Sequence, residues 1–263
     1  MRQNLEFTMA VEASGKNVFI TGGTSGIGLA LAKLYAQDGW RVGICGRDLK
    51  KLPDLRAWPL IFPYQVDVTN LAALRQAVQN FAPAGVDLMI ANAGISMGDK
   101  QPLPNFAGIR EILAINVGGT LNALEVALEK MLPQKKGHLV LTASVAGMVG
   151  LPSAAAYSAS KAYLLKLGES LSLDLKDFGI TVTTIAPGFI DTPLTRKNKH
   201  RMPFMLTVEQ GAAAYKKAIG QGKSFYIFPW KMRWLMMFLE RMPRCCYRAI
   251  MRVAAPIFYR KTK

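Results

Sequence analysis

Cysteine and histidine are scarce in this chain: Cys45, Cys245 and Cys246, with His138 and His200, are all it carries in 263 residues. Three cysteines so placed suit neither a disulfide framework nor a zinc site, so a reducing compartment fits best and no metal chemistry is expected. Long apolar runs are also missing. No stretch reaches the roughly 20 apolar residues of a spanning helix, and residues 1–15 carry Glu6 and Glu12 where a secretion signal would be apolar. The expectation is a cytoplasmic protein. Acidic residues are few, 17 against 33 Lys and Arg, and the resulting net charge of +16 would point to nucleic acid if it were spread along the chain. It is concentrated instead: residues 195–263 hold 16 Lys and Arg against Glu209 and Glu240, a net +14, leaving +2 for residues 1–194. No nucleic-acid partner is expected.

What is present can fill a large core, since 51% of residues are hydrophobic. Lys16 to Thr21 reads as a buried strand running into Gly22-Gly-Thr24-Ser25-Gly26-Ile27-Gly28 and the helical pattern Leu29 to Gln37. Strand, glycine turn and helix in this order present backbone N–H groups and a helix N-terminus to a pyrophosphate, with glycines where side chains would block its approach. Arg41 to Cys45 is a second strand ending at Gly46, Arg47 and Asp48, where the adenosine ribose of a dinucleotide would lie. Arg47 there either pairs with a 2′-phosphate, favouring NADPH over NADH, or is a solvated surface charge. Asp48, just before Leu49-Lys-Lys-Leu, reads as a helix N-cap.

A third strand, Leu60 to Val66, ends at Asp67 and Val68, whose carboxylate could accept from an adenine amino group. Thr69 to Phe81 follows with helical spacing. Asp87 to Ala91 is a fourth strand leading to Asn92, Ala93 and Gly94, small enough to let a flat nucleotide lie against the backbone. Ile109 to Met131 reads as a helix interrupted at Asn116-Val-Gly118-Gly119, a defect explained either by close helix packing or by a polar bend that holds a water. His138 to Thr142 and Ile180 to Ile185 are the fifth and sixth strands, and Ser224 to Phe228 is the seventh, after a helix over Glu209 to Ile219. His138 is read as a strand-edge residue, and Pro193 to Thr207 as a mobile substrate lid that includes His200. Alternating strands and helices with short links predict a parallel sheet covered on both faces.

The segment Ser144 to Lys161 holds the chemistry. A helix from Ala155 to about Phe178 would put Tyr157 and Lys161 on one face at i and i+4. An ammonium beside a phenol favours the phenolate, lowering its pKa from about 10 toward working pH, so such a Tyr can pass protons. Tyr259 and Lys263 repeat the spacing without a serine or glycine loop to support them.

Taken in order, Thr21-Gly-Gly-Thr-Ser-Gly-Ile-Gly28, Asp67, Asn92-Ala-Gly94, Asn116, Ser144, Tyr157-x-x-x-Lys161 and Pro187-Gly188 resemble the short-chain dehydrogenase/reductase family over residues 15–228. The resemblance implies a Rossmann-like doubly wound α/β fold with a seven-stranded parallel sheet flanked by helices. It implies a catalytic tetrad of Asn116, Ser144, Tyr157 and Lys161, in which Tyr157 donates the proton, Ser144 holds the carbonyl oxygen, Lys161 binds the nicotinamide ribose and Asn116 anchors a water. It further implies that Gly22, Ser25 and Ile27 contact cofactor phosphates, Asp67 and Val68 the adenine, Asn92 the adjoining ribose region, and Ile190 and Thr192 the carboxamide. Thr24, Gly26, Gly28, Arg47, Ala93, Gly94, Pro187 and Gly188 complete the expected cofactor site, for NADP(H) in preference to NAD(H). Ala91 stands where the family often has a second Asn.

Residues 229–263 are expected to form a basic amphipathic tail after a catalytic domain of residues 1–228, of which residues 1–15 are an N-terminal extension. Phe228 to Leu239 is rich in Trp and Met, and after Pro243 the residues Arg244, Arg248 and Arg252 share one face opposite Cys246, Ile250, Val253 and Ile257. This pattern suits peripheral contact with an anionic membrane, with packing on the domain or a second subunit as the alternative. The functional expectation is reduction of a carbonyl, or oxidation of a secondary alcohol, on a hydrophobic steroid-, retinoid- or lipid-like substrate by a homodimer or homotetramer. A 3-oxoacyl carrier-protein reductase is the second reading, and a membrane-bound NADPH-binding scaffold without turnover is a third, of another class.

Overall fold

The computed structural model describes residues 15–96, 105–197 and 202–259. Its seven strands are β1 (Asn17–Thr21), β2 (Arg41–Gly46), β3 (Ile61–Gln65), β4 (Leu88–Ala91), β5 (Gly137–Thr142), β6 (Ile180–Pro187) and β7 (Phe225–Phe228). All pair in parallel in the order β3-β2-β1-β4-β5-β6-β7. The inner strands are apolar on both faces because both faces are covered, as runs such as Val18-Phe19-Ile20 and Leu88-Met89-Ile90 require.

On one face, α1 (Gly26–Gln37) and α6 (Val208–Gly220) lay Leu31, Tyr35 and Tyr215 over Ile20, Val140 and Ile185. On the other, α2 (Leu71–Phe81), α4 (Gly119–Gln134) and α5 (Ala155–Asp174) cover Phe19, Met89 and Leu139, with Leu74, Leu124 and Leu167 at the contact. The sheet order reverses between β1 and β4, so the strands' carboxyl ends open a crevice there.

The interrupted helix is α3 (Phe106–Leu113), a five-residue π turn (Ala114–Gly118) and α4. Close packing accounts for one of its glycines: a Cβ on Gly119 would lie 2.5 Å from Val68 Cγ2. By length and composition Phe106–Gln134 passes for a membrane-crossing helix, but half of its apolar window is buried inside the domain, as in a core helix. α5 stops at Asp174, short of Phe178, because the chain tightens into a 3-10 turn (Lys176–Phe178) and reverses at Gly179, whose φ of +69° suits glycine. Asp48 caps a short 3-10 turn (Leu49–Lys51), accepting from Lys50 N at 2.9 Å.

The basic C-terminal segment forms α7 (Trp230–Arg241) and α8 (Arg244–Tyr259), divided at Pro243. These helices pack on the domain, one of the alternatives the sequence left open. Met232, Met236 and Tyr247 are buried in a third cluster with Val145, Val149, Ala186 and Ile227, and Tyr247 Oη donates to Gly150 O at 2.6 Å. Their inner faces therefore close the core beside the loop that carries Ser144. His200 and Lys263, and the side chain of Tyr259, lie outside the described residues.

Candidate active site

A cleft of about 260 Å³ opens at the carboxyl ends of β1, β2, β3 and β4. Gly22, Thr24, Ser25, Gly26 and Ile27 line one side of it. Gly22 and Gly26 have φ of +64° and +52°, the conformation the turn needs to enter α1. Ser25, the N-cap, makes no side-chain cap bond, and the first turn of α1 carries no acid, so its leading N–H groups face the cleft without a competing carboxylate. Gly28 does not line the cleft; it allows α1 to close on the turn, since a Cβ there would lie 2.7 Å from Asn92 Nδ2.

Gly46 and Arg47 at the end of β2, and Val66, Asp67 and Val68 after β3, form the far wall. The Arg47 guanidinium lies 3.9 Å from Glu111 Oε1, with both side chains about half exposed. Asp67 Oδ1 accepts from Thr69 N (2.9 Å) and Thr69 Oγ1 (2.8 Å), bonds that hold its carboxyl below the usual range. One oxygen of the expected adenine acceptor is thus committed to its own turn.

Asn92, Ala93 and Gly94 bring β4 to the cleft floor. Asn92 Nδ2 donates to Thr21 O (3.1 Å) and Gly22 O (3.2 Å), while Thr21 Oγ1 accepts from the backbone N–H groups of Asn92 and Ala93. These bonds tie the glycine turn to β4. Thr192 lines the cleft together with Pro193 and Leu194. Pro187, Gly188 and Ile190 do not: Pro187 pairs with Phe228, Gly188 lies against Met232, and Ile190 is buried under α6. Sequence reasoning missed Val66, Ile95 and Ile115, and placed Gly46 at the ribose end of β2 and Pro193 and Leu194 in a substrate lid without naming them as cofactor contacts. Most adjoin residues it named, but nothing local marks Ile115, which the π turn brings in.

Lys161 and Asn116 sit directly behind this floor. A Cβ on Gly94 would be 3.2 Å from Asn116 Oδ1 and 3.5 Å from Lys161 Nζ. Ser144, just past β5, sets its hydroxyl beside the Tyr157 phenol, and its Oγ accepts from Ala146 N at 3.1 Å. Gly147 permits this approach: a Cβ there would lie 2.5 Å from the Lys161 carbonyl carbon and 2.7 Å from Ala162 N. The four expected tetrad residues are therefore brought together from the π turn, the β5 loop and the first turns of α5.

The electrostatics differ from the expectation in one respect. Lys161 Nζ lies 5.8 Å from the Tyr157 ring centroid and donates to Thr142 O at 2.8 Å. Burial pushes the Tyr157 pKa up, opposed by the nearby Ser144 hydroxyl, and pushes Lys161 down to about 8. The phenol's pKa thus moves upward, where the i, i+4 spacing to Lys161 suggested a lowering. Asn116 is fully buried with both amide hydrogens donated: Nδ2 bonds Ile95 O and Ser160 Oγ (both 3.0 Å), and Oδ1 accepts from Ile95 N (2.8 Å). Its side chain joins β4 to α5. His138 lies far from the cleft at the start of β5, its Nε2 2.8 Å from Thr183 Oγ1 and its pKa lowered by burial to about 4. Among the described residues no three His, Cys, Asp or Glu side chains gather as a metal site requires.

The family model described as short chain dehydrogenase matches residues 16–203. An uncharacterised oxidoreductase of Myxococcus xanthus is 36% identical over 228 residues, covering 84% of this chain and 90% of that protein. The 3-oxoacyl-[acyl-carrier-protein] reductase FabG of Rickettsia prowazekii is 32% identical over 188 residues, covering 71% and 78%. Among solved structures, ElxO with NADP bound superimposes with a TM-score of 0.71 at 25% identity, over 81% of this chain and 94% of that one.

Proposed function

Because the chain belongs to the short-chain dehydrogenase/reductase family and is an NAD(P)-dependent oxidoreductase, we propose that it uses NADP(H) to interconvert a carbonyl and a secondary alcohol on a hydrophobic substrate. The observation that carries this reading is the gathering of Ser144, Tyr157 and Lys161, with Lys161 just behind the Gly94 floor of a cleft that begins at a helix N-terminus. The cleft's chemistry fits the cofactor: uncapped N–H groups of α1 suit a pyrophosphate, the small residues Ala93 and Gly94 suit a ribose and ring, and Arg47 suits a 2′-phosphate. ElxO, similar in fold, holds NADP. When bound, the cofactor supplies or accepts the hydride.

Thr24, Ser25, Gly26 and Ile27 are assigned to the pyrophosphate, with Gly22 and Gly28 shaping the turn, and Val68 and Asp67 to the adenine. Asn92 supports the ribose region and Thr192 the nicotinamide edge, on a loop shaped by Pro187, Gly188 and Ile190. As negative charge develops on the substrate oxygen, Tyr157 gives it a proton while the Ser144 hydroxyl holds it in place. A positioned acid of this kind contributes roughly 10²–10⁴-fold in rate. Lys161, with a pKa near 8, can then return a proton toward Tyr157. Asn116 is assigned a positioning role, since its amide is already occupied.

The hydrophobic substrate is supported by Met148, Leu151 and Phe189, partly exposed apolar side chains on the segments that follow Ser144 and Pro187. Exposed Leu121 and Leu132 on α4, with Tyr163 and Leu173 on α5, support a homodimer or homotetramer through those helices. A cytoplasmic setting goes with this reading. A second reading, 3-oxoacyl carrier-protein reduction, is favoured by the Rickettsia relative and by the basic C-terminal quarter, which an acidic carrier would match. The test is NADPH oxidation over a panel of steroid, retinal, fatty-aldehyde and 3-oxoacyl carrier-protein substrates. Turnover that Tyr157→Phe lowers at least about a hundredfold, with NADPH affinity kept, is expected; NADPH binding with no turnover on any carbonyl would leave only a cofactor-binding scaffold.

A further inference from the structure

α7 has two apolar faces, and only one of them is covered. Met232 and Met236 point into the domain at 2% and 5% exposure. On the opposite side, Trp230, Trp234 and Phe238 recur every fourth residue and are 67%, 66% and 64% exposed. Leu235 on α7 and Ile250 and Val253 on α8 are exposed as well. A single exposed apolar side chain needs no explanation, but two tryptophans and a phenylalanine in one stripe mark a surface that meets something. Residues 230–259 hold six Lys and Arg against Glu240 alone, a net +5, so cations flank the stripe throughout.

That charge selects the occupant. A second copy would bring an equally cationic face and be repelled, whereas an anionic surface gains both the charge and the aromatic rings. Tryptophan beside Lys and Arg, on helices lying flat against a folded body, matches the interfacial region of a bilayer, where the rings sit at headgroup depth and the cations meet phosphate. We propose that the outward faces of α7 and α8 dock the protein on an anionic lipid surface.

The surface continues toward the cleft. Lys231 Nζ lies over the rings of both Trp230 (5.6 Å) and Phe204 (5.7 Å). Phe204 and Met205, 45% and 47% exposed, adjoin Leu206, which pairs with Ile190, two residues before Thr192 at the cleft. Docking on this face would set these residues beside the bilayer, where an apolar substrate dissolves. This last step rests on the functional reading above; the docking itself does not.

The experiment is flotation of the full-length chain with phosphatidylcholine vesicles, and with vesicles in which a quarter of the lipid is phosphatidylglycerol. The chain is expected to float with the anionic vesicles and to be released as salt screens the charge. Replacing Trp230, Trp234 and Phe238 together with Ser should lower the partition coefficient at least about tenfold. Lys231→Gln and Arg241→Gln, which flank the aromatic stripe, should together lower it at least about tenfold. Neither set should alter NADPH affinity or the unfolding midpoint appreciably. No flotation at low salt, flotation indifferent to both sets of substitutions, or binding of an acidic carrier protein in place of lipid would each overturn the proposal. Flotation requires no turnover, so a chain that floats but reduces no carbonyl would sink the assigned reaction and leave the docking surface standing.

Discussion

Lys161→Met should stabilise the free protein at neutral pH while removing its activity. Lys161 is buried at 3% exposure, and burial brings its pKa from the ordinary 10.5 to about 8. That gap of about 2.5, at 1.36 kcal/mol per pH unit, means that keeping the ammonium charged costs the fold about 3 kcal/mol. Methionine fills much the same volume without the charge, but it leaves the Thr142 carbonyl without its 2.8 Å donor, a loss of about 1 kcal/mol. The net gain at pH 7 is about 2 kcal/mol, or roughly 5 °C in unfolding midpoint for a chain this long. Because the folded-state pKa is depressed, the unfolded chain binds more protons between about pH 8 and 10.5, and wild-type stability rises with pH through that window. The advantage of the variant should therefore shrink and nearly vanish by about pH 9.5. Urea unfolding of both proteins at the two pH values checks this. A variant less stable than wild type at pH 7, with a difference that does not change with pH, would refute the claim that Lys161 is a strained buried cation.

Three further outcomes are expected. Arg47→Ala should weaken NADPH binding about tenfold or more, in titrations that leave NADH affinity nearly unchanged, because only NADPH carries a phosphate for the guanidinium; equal losses would remove Arg47 from that role. Gly147→Ala should destabilise the fold by roughly 1–3 kcal/mol and lower kcat, since the added carbon meets the Lys161 backbone at 2.5 Å and must push the Ser144 loop from Tyr157; unchanged kinetics would mean that the loop yields without cost. Removing residues 231–263 should cost more than about 4 kcal/mol and yield an aggregating protein, because Met232, Met236 and Tyr247 go with it and Val145, Val149 and Ile227 are uncovered; a monodisperse truncated protein in size-exclusion chromatography would contradict this.

Local pattern alone determined much of this molecule. Strands such as Val18-Phe19-Ile20 and Leu88-Met89-Ile90 are legible as continuous apolar runs, and alternation with helices implies the parallel sheet whose carboxyl ends gather the turn at Gly22, Asn92 and Ser144. Residues within one turn or one helix, such as Tyr157 and Lys161, need only the helical repeat to be placed together. Their charge states could not be read that way. The direction in which the Tyr157 pKa moves depends on how much of β5, α5 and the Ser144 loop surrounds the phenol, and burial by those distant segments raises it where the spacing suggested a lowering. The partners of Asn116, Ile95 and Ser160, likewise come from separate elements. The C-terminal helices show the division most clearly: their sequence is amphipathic and basic, but only packing decided that Met232, Met236 and Tyr247 face inward. Two apolar faces on one helix are equivalent in sequence until the shape of the domain covers one, leaving Trp230, Trp234 and Phe238 on the other.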